Sequence, residues 1–327
     1  MSPVSPDAAD EAALRDGQPR ARSWQQLLEL VALEVEPLRG SGKVADYIEA
    51  LARVDPNKFG LALVDRAGER AAVGDSAEPF SIQSISKVFA LTLALCEVGD
   101  ALWKRVWREP SGTPFNSIVQ LEVGQGVPRN PFINAGALVV TDLLISRFGK
   151  QGTVDALVEL ARERAGNPRV EVDEEVARSE LRTSHRNAGL AHVIKGFGNL
   201  ENAVEDVLEV YCRQCAIAMS CADLARSALY LSAGGRDPLD GAQVISPFHA
   251  RRINAIMMTC GHYDAAGDFA CRVGLPGKSG VGGGILAVAP GQLTVVAWSP
   301  GINENGNSLV GSIALEAFVR ASGLAVL

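Results

Sequence analysis

The sequence predicts an α+β fold, in which terminal helices cover one antiparallel sheet and a helical region lies beside it. Strand-like stretches occur near both ends of the chain, at 58–75 and at 283–300. The segments between them have mostly helical apolar spacing. In the simplest arrangement that fits this order, the two ends of the chain share one sheet and the central helices form a second lobe. A cleft between two such lobes is where we expect a site.

Each element follows from a local pattern. Apolar residues recur on one helical face from Trp24 to Leu38, which indicates an amphipathic helix. Residues 58–75 indicate two short strands around a turn at 67–69, and residues 283–300 indicate two more around a turn at 290–292. A last amphipathic helix is predicted over 307–323. The central helical stretches are 134–148, 153–166, 205–219 and 221–235.

These patterns divide the chain into three parts. Residues 1–22 are rich in Pro, Ala and Asp and poor in large apolar side chains, so we expect a flexible N-terminal tail. A partner-docking arm is the less favoured alternative for the same residues. We expect residues 23–95 and 256–327 to form one discontinuous α/β lobe, and residues 96–255 to form the helical lobe.

Composition and charge exclude several classes of protein. The 327 residues are 47% hydrophobic and 21% charged, which is typical of a soluble globular protein. A net charge of −7 argues against a nucleic-acid partner, since binding one requires a basic face. No apolar run approaches the ~20 residues of a membrane span, and the N-terminal segment lacks the apolar core of a signal peptide. We therefore expect a cytoplasmic protein with no membrane partner.

The cysteines and histidines give no metal-binding signal. Cys212 and Cys215 form a C-x-x-C pair, but neither a second pair nor neighbouring histidines complete a zinc site. We interpret the pair as small buried hydrophobic residues of a helix. The four histidines have no ligand spacing either. We therefore expect no metal, and we expect the six cysteines to be reduced.

The segment 80–95, FSIQSISKVFALTLAL, is the first candidate for chemistry. Beyond Lys87 it is apolar on nearly every side, as in a buried helix. Ser84, Lys87 and Leu91 fall on one face of that helix. A desolvated, neutral lysine can take the proton of a nearby serine, which makes Ser84 a candidate nucleophile and Lys87 its base. The alternative is that Lys87 reaches the surface from the helix end.

The second candidate lies in the segment 260–290. Its Lys278-Ser279-Gly280 resembles the Lys-Ser/Thr-Gly element of penicillin-recognising serine enzymes, in which S-x-x-K also occurs. The glycines at 282–284 follow, at the start of a predicted strand, where glycine usually marks a close backbone approach. Such an edge can present a backbone N–H to a substrate oxygen. The stretches RGSGKV and GVGGGI lack residues that phosphate-loop and dinucleotide motifs need.

Five successive blocks resemble the signature segments of the serine-dependent glutaminase family. They are SIQSISKVF, NPFINAGAL, SELRTSHRNAGL, VYCRQC and GHYDAAGDFACRVGLPGKSGVGGGI. The resemblance runs in order from about Tyr47 to Ile285 and so covers most of the chain. It implies a β-lactamase/transpeptidase-like fold and hydrolysis of L-glutamine to L-glutamate and ammonia through a glutamyl-serine acyl-enzyme. It also implies no cofactor and a homo-tetramer.

The resemblance further implies a role for each matching residue. Ser84 is expected to be the nucleophile and Lys87 its base. Tyr263 and Tyr211 are expected to line the reacting amide, with Tyr263 passing a proton to the departing ammonia. The backbone N–H groups of Ser84 and Val281 are expected to form the oxyanion hole. The other substrate-binding positions implied by the resemblance are Tyr47, Gln83, Asn134, Glu180 and Asn187.

The chemistry of glutamine agrees with these assignments, and two rival functions stay open. A carboxylate such as Glu180 can meet the α-ammonium of glutamine, while amides and phenols can meet its carboxylate. A peptidoglycan transpeptidase or β-lactamase should also carry a Ser-Asp-Asn or S/Y-x-N element, which we do not find. A non-catalytic glutamine sensor would keep the pocket, but the presence of Ser84, Lys87 and Tyr263 argues against it.

Overall fold

The computed structural model describes residues 23–111 and 118–326. The tail predicted at 1–22 lies outside these residues. The helices are α1 (Trp24–Val35), α2 (Ser86–Val98), α3 (Val119–Val123), α4 (Asn134–Ala165), α5 (Glu174–Arg182), α6 (His185–Gly196), α7 (Val204–Cys215), α8 (Cys221–Ser227), α9 (Leu229–Ser232), α10 (Pro247–Cys260), α11 (Ala266–Arg272) and α12 (Leu309–Ser322). The strands are β1 (Gly60–Asp65), β2 (Arg70–Gly74), β3 (Phe80–Ser81), β4 (Glu171–Val172), β5 (Ile217–Met219), β6 (Gly277–Ser279), β7 (Gly284–Ala289) and β8 (Leu293–Trp298).

Both ends of the chain contribute to one five-stranded antiparallel sheet, as the sequence predicted. Its strand order is β2–β1–β8–β7–β6. In the register, Leu61 of β1 lies opposite Ala297 of β8, which lies opposite Ile285 of β7. The predicted turns at 67–69 and 290–292 join β1 to β2 and β7 to β8. The glycine-rich region 280–284 therefore lies where β6 turns into β7, at one edge of the sheet.

The sheet separates two hydrophobic layers. On one face, Leu61 and Ile285 pack in a core that includes residues of α1 and α12. On the other face, Ala62 and Leu286 join a larger core that includes α2 and α4. Successive residues of a strand point to opposite faces, which is why neighbouring residues enter different cores. The terminal helices thus cover one face of the sheet, as predicted.

Helix α2 lies inside the larger core. Its residues Val88, Phe89, Ala90 and Leu91 are all buried, so it has no polar face turned to solvent over this stretch. A helix that is apolar all round has to be surrounded by other elements, and α2 packs against α4 and α10. This packing fixes the position of its N-terminal end, where Lys87 lies.

The central helical stretches differ from their predicted bounds. The stretch 205–219 stops being helical at Cys215, and its last residues form β5 in a small sheet of order β3–β5–β4. Periodicity cannot distinguish a strand from a helix over so short an apolar run. The stretches 134–148 and 153–166 join in α4, which is kinked at Gly149, where φ is 72°. Glycine adopts this left-handed conformation without a steric penalty from Cβ.

No helix within residues 23–111 and 118–326 is both long enough and apolar enough to cross a bilayer.

Candidate active site

Ser84 lies at the junction between strand β3 and helix α2. The 3₁₀ turn Gln83–Ile85 precedes the helix. Gln83 has a φ of 50°, a left-handed conformation that is uncommon for a residue with a side chain. Strained backbone of this kind clusters at functional sites. The turn places Ser84 at the start of the buried helix, and the residue is 6% exposed.

Lys87 is buried beneath this turn, so the alternative in which it reaches the surface is wrong. The residue is 1% exposed. Its Nζ donates to Asn134 Oδ1 at 2.7 Å and to the Phe132 carbonyl at 3.3 Å. Burial lowers the pKa of Lys87 from 10.5 to about 8, against the opposing effects of Cys215 and Glu180. Two acceptors match the two hydrogens of a neutral amine, whose lone pair is then left to take a proton.

The backbone around Val281 lies against the Ser84 turn. A Cβ at Gly280 would come within 2.5 Å of the Ile82 carbonyl oxygen and 3.2 Å of the Ser84 backbone nitrogen. A Cβ at Gly282 would collide with the same segment of backbone. Only glycine permits so close an approach on both sides of Val281. The backbones of Ser84 and Val281 therefore border the same part of the site.

Tyr263 and Ser84 line the same cavity. Burial raises the pKa of the Tyr263 phenol, and side-chain hydrogen bonding from Ser84 and Ser279, which lowers it, only partly opposes that effect, so the phenol is protonated at neutral pH. The Nζ of the fully buried Lys278 lies 4.4 Å from the centroid of the Tyr263 ring. Tyr263 also has a left-handed backbone, with a φ of 59°.

Glu180 supplies a buried carboxyl group. The residue is 8% exposed, and its Oε2 accepts a hydrogen bond from Gln83 Nε2 at 3.2 Å. Burial raises the pKa of Glu180 from 4.5 to about 7, while the Gln83 hydrogen bond and the charge of Lys87 oppose that rise. An incoming cation would stabilise the ionised carboxylate. Glu180 is therefore suited to hold an ammonium group.

Asn134 connects three polar side chains of the site. Its Oδ1 accepts from Lys87 Nζ and, at 3.3 Å, from the Tyr211 hydroxyl. Its Nδ2 donates to Asn187 Oδ1 at 3.0 Å. These contacts fix which way the Asn134 amide faces. Substitution of Asn134 would therefore disturb the base candidate and the pocket wall together.

One cavity of about 260 Å³ brings the predicted substrate-binding positions together. Lys87 lies beneath the cavity and reaches its lining through Asn134. Four lining residues were not predicted, and each lies within three positions of one that was. The lining residues are Tyr47, Gln83, Ser84, Asn134, Glu180, Asn187, Tyr211, Tyr263 and Val281, together with the unpredicted Ile48, Thr183, Ser184 and Arg186.

The fold and the site together define a class of protein. An antiparallel sheet between terminal helices and a helical layer, with Ser84 and Lys87 at the start of a buried helix, is the β-lactamase-like α+β architecture. A family model described as Glutaminase matches residues 42–327. The chain belongs to the glutaminase family.

Individual relatives support this membership. A glutaminase from Rhizobium rhizogenes is 54% identical over 302 residues, which are 92% of this chain and 98% of that protein. The solved structure of a probable glutaminase, YbaS, superposes with a TM-score of 0.88 at 36% identity and covers 93% of this chain and 97% of that one. The Bacillus subtilis glutaminase YbgJ was solved as a covalent complex with 5-oxo-L-norleucine, formed from 6-diazo-5-oxo-L-norleucine. That complex has a TM-score of 0.84 at 33% identity and covers 93% and 100% of the two chains.

Proposed function

We propose that the chain hydrolyses L-glutamine to L-glutamate and ammonia through a glutamyl-serine acyl-enzyme on Ser84. The glutaminase activity follows from the family and from relatives that match nearly their whole length. The covalent step is supported by the covalent complex of the Bacillus subtilis relative. The burial of Lys87 one helical turn from Ser84, with a pKa near 8, is the main support for placing the reaction at Ser84.

Acylation begins with the Ser84 hydroxyl. Neutral Lys87 takes the hydroxyl proton as Ser84 Oγ attacks the side-chain carboxamide carbon of glutamine. The backbone N–H groups of Ser84 and Val281 stabilise the negative oxygen of the tetrahedral intermediate. The intermediate then collapses as the C–N bond breaks. The leaving nitrogen receives a proton through Tyr263, which regains one from protonated Lys87, and ammonia departs.

Deacylation repeats the same steps with water in place of Ser84. Neutral Lys87 accepts a proton from water as the water oxygen attacks the ester carbon. Collapse of the second tetrahedral intermediate returns the proton to Ser84 and releases L-glutamate. No cofactor is needed, because each bond change is matched by a proton transfer between groups already described.

Substrate selection rests on the charged end of glutamine. Glu180 holds the α-ammonium, since a buried carboxylate without a cation is costly. Asn134 and Asn187 hold the α-carboxylate end, with Tyr47 and Gln83 in support. Tyr211 lines the reacting amide beside Tyr263 and holds Asn134 through its hydroxyl.

We further propose a cytoplasmic homo-tetramer. All six cysteines are free thiols, which is the usual state in a reducing compartment. Exposed apolar side chains such as Val123, at 83% exposure, and Leu33, at 71%, are available for contacts between copies. Light scattering coupled to size-exclusion chromatography should give about four chain masses. A monomer mass at micromolar concentration would contradict the tetramer.

An assay of ammonia release from L-glutamine tests the proposed function. The purified protein should release ammonia and glutamate in equal amounts. Ser84→Ala should abolish release yet bind glutamine in calorimetry, because the groups that hold the amino-acid end are unchanged. Binding of glutamine by the wild-type protein without ammonia release would identify a glutamine sensor. Release by Ser84→Ala at the wild-type rate would remove Ser84 from the mechanism.

A further inference from the structure

The lining of the cavity contains one ionisable group of each sign. Among the residues that the structure describes around the cavity, Glu180 supplies a carboxyl group and Arg186 a guanidinium, while the others are neutral. Free glutamine also carries one charge of each sign, and its ammonium and carboxylate groups are bonded to the same carbon atom. Two charged side chains that bind these groups must therefore lie near the same end of the cavity.

The segment 180–187 brings Glu180 and Arg186 to neighbouring positions. Glu180 belongs to the last turn of α5 and Arg186 to the first turn of α6, and only two residues separate these helices. Asn187, one of the two residues proposed to hold the α-carboxylate, follows Arg186 directly and also lines the cavity. Arg186 is exposed whereas Glu180 is buried, so Arg186 borders the cavity where it opens to solvent. A cation is therefore present beside a group that receives the carboxylate.

The two hydroxyl groups of this segment cannot take the place of Arg186. Thr183 Oγ1 donates to the carbonyl oxygen of Glu180 at 3.2 Å, and Ser184 Oγ donates to that of Leu181 at 2.8 Å. Each hydroxyl has a single hydrogen, which these bonds use. Neither side chain can donate to a carboxylate while it holds the end of α5.

The side-chain amides of the cavity contribute hydrogen bonds but no charge. Gln83 Nε2 donates to Ser81 Oγ at 2.9 Å and to Glu180 Oε2 at 3.2 Å, so both of its hydrogens are used. Gln83 therefore offers an acceptor, which suits an ammonium group and not a carboxylate. Asn134 uses one of its two amide hydrogens on Asn187 Oδ1 at 3.0 Å. Moving an ionised carboxylate from water to neutral partners alone is costly, and a guanidinium lowers that cost through paired, charge-assisted hydrogen bonds.

We propose that Arg186 determines substrate specificity by binding the α-carboxylate of glutamine, beside the α-ammonium that Glu180 binds. The inference rests on the proposed glutaminase function and adds to it a requirement for a free α-carboxylate. Glutamine whose carboxylate is joined to another group, as in a peptide bond or an amide, lacks the charge that Arg186 binds. Such a compound is therefore a poor substrate.

Matched removal of one positive charge tests the role of Arg186. Arg186→Gln should raise the KM for L-glutamine roughly five- to tenfold, between the effect of an exposed ion pair and that of a buried charge-assisted hydrogen bond. The kcat should stay within about twofold, because the carboxylate is not a reacting group. Arg182→Gln is the control, since Arg182 is exposed, pairs with Glu49 at 3.3 Å and lies outside the cavity lining. Equal KM values in the two variants would contradict the proposal.

Arg186→Lys distinguishes lost charge from lost structure. Lysine keeps the positive charge but not the paired donors of the guanidinium, so its KM should lie between those of the wild type and Arg186→Gln. A KM as high as that of Arg186→Gln would show that the charge does not matter and would overturn the proposal.

A substrate without the α-carboxylate tests whether Arg186 acts on that group. In L-glutamine α-amide the carboxylate is replaced by a neutral amide, and chromatography measures the L-glutamate α-amide that forms when the side chain is hydrolysed. Arg186→Gln should leave kcat/KM for this substrate within about twofold of the wild-type value, because there is no carboxylate for Arg186 to bind. If turnover is too slow, the inhibition constant of the α-amide against L-glutamine gives the same comparison. An equal loss on both substrates would show that Arg186 does not act through the carboxylate.

The outcomes separate this inference from the proposed function. If the wild-type protein does not hydrolyse L-glutamine, the proposed function is wrong and the inference falls with it. If the wild-type protein hydrolyses L-glutamine and Arg186→Gln has an unchanged KM, only the inference about Arg186 is wrong. A raised KM for L-glutamine, with no further loss on the α-amide, is the result that we expect.

Discussion

Substitution of Lys87 separates its role as a base from its role as a positive charge. Lys87→Arg keeps a cation that cannot deprotonate, and Lys87→Met keeps an approximate volume without charge or base. We expect both variants to lose roughly 10²–10⁴-fold in kcat, which is the usual contribution of a general base. An Arg variant with much of the wild-type activity would show that Lys87 acts only as a charge.

The pKa of Lys87 gives the wild-type pH dependence. With a pKa of about 8, about one molecule in eleven carries a neutral amine at pH 7, and about ten in eleven do so at pH 9. The kcat at saturating glutamine should therefore rise about tenfold over this interval. Neither variant should show this rise. A wild-type kcat that is flat between pH 7 and pH 9 would contradict a base with this pKa.

The same shift makes a prediction about stability. Below pH 8 Lys87 is charged in both the folded and the unfolded chain, so the folded state bears the full cost of burying the charge. Between pH 8 and 10.5 only the unfolded chain keeps the proton, and stability rises with pH. The shift from 10.5 to about 8 corresponds to about 3 kcal/mol. At pH 7, Lys87→Met should therefore raise the free energy of unfolding by this amount, less the stabilisation that is lost with the hydrogen bonds to Asn134 and Phe132.

Urea unfolding of the wild-type protein and of Lys87→Met at pH 7 and pH 10 measures this effect. The difference in unfolding free energy between the two proteins should change by about 2–3 kcal/mol between the two pH values, in favour of the wild type at pH 10. Other groups titrate in this range too, but they are common to both proteins and cancel. A difference that does not change with pH would refute the depressed pKa.

Two further predictions concern the pocket. Glu180→Gln should raise the KM for glutamine roughly ten- to 150-fold, because a charge-assisted contact contributes about 1.5–3 kcal/mol. Steady-state kinetics measures this KM. An unchanged KM would show that Glu180 does not bind the ammonium group. The Cβ of Gly280→Ala would lie 2.5 Å from the Ile82 carbonyl oxygen and so would push apart the backbones of Ser84 and Val281. Because this disturbs the proposed oxyanion hole, kcat should fall more than tenfold. Gly267→Ala, whose Cβ would meet nothing within 4 Å, is the matched control and should keep the wild-type kcat; equal kcat in both variants would contradict the close approach.

The sequence predicted those features that depend on local patterns. The apolar character of 88–95 on every side led to a buried helix, and a lysine within its first turn led to Lys87 as a base candidate. The helix and the burial are confirmed. Strand alternation and turn residues predicted the large sheet, because its hairpins at 60–74 and 284–298 are each local in sequence.

Features that depend on distant contacts could not be predicted in the same way. Asn307 bonds to Ser279 across 28 positions, and an asparagine in a turn carries no sign of such a partner. Thr183, in the turn between α5 and α6, and Arg186, at the start of α6, line the cavity, but no local pattern shows which way they face. Strand β5 was missed because three apolar residues have no periodicity of their own.

Covalent labelling by 6-diazo-5-oxo-L-norleucine identifies the residue that forms the covalent intermediate, which we propose is Ser84. The related Bacillus subtilis glutaminase forms a covalent complex with 5-oxo-L-norleucine from this reagent. Mass spectrometry of the labelled, digested protein should find one adduct per chain, on the peptide that contains Ser84, in step with loss of activity. Ser84→Ala should take up no label. Inactivation with the adduct on another residue, or with no adduct at all, would show that Ser84 is not the nucleophile.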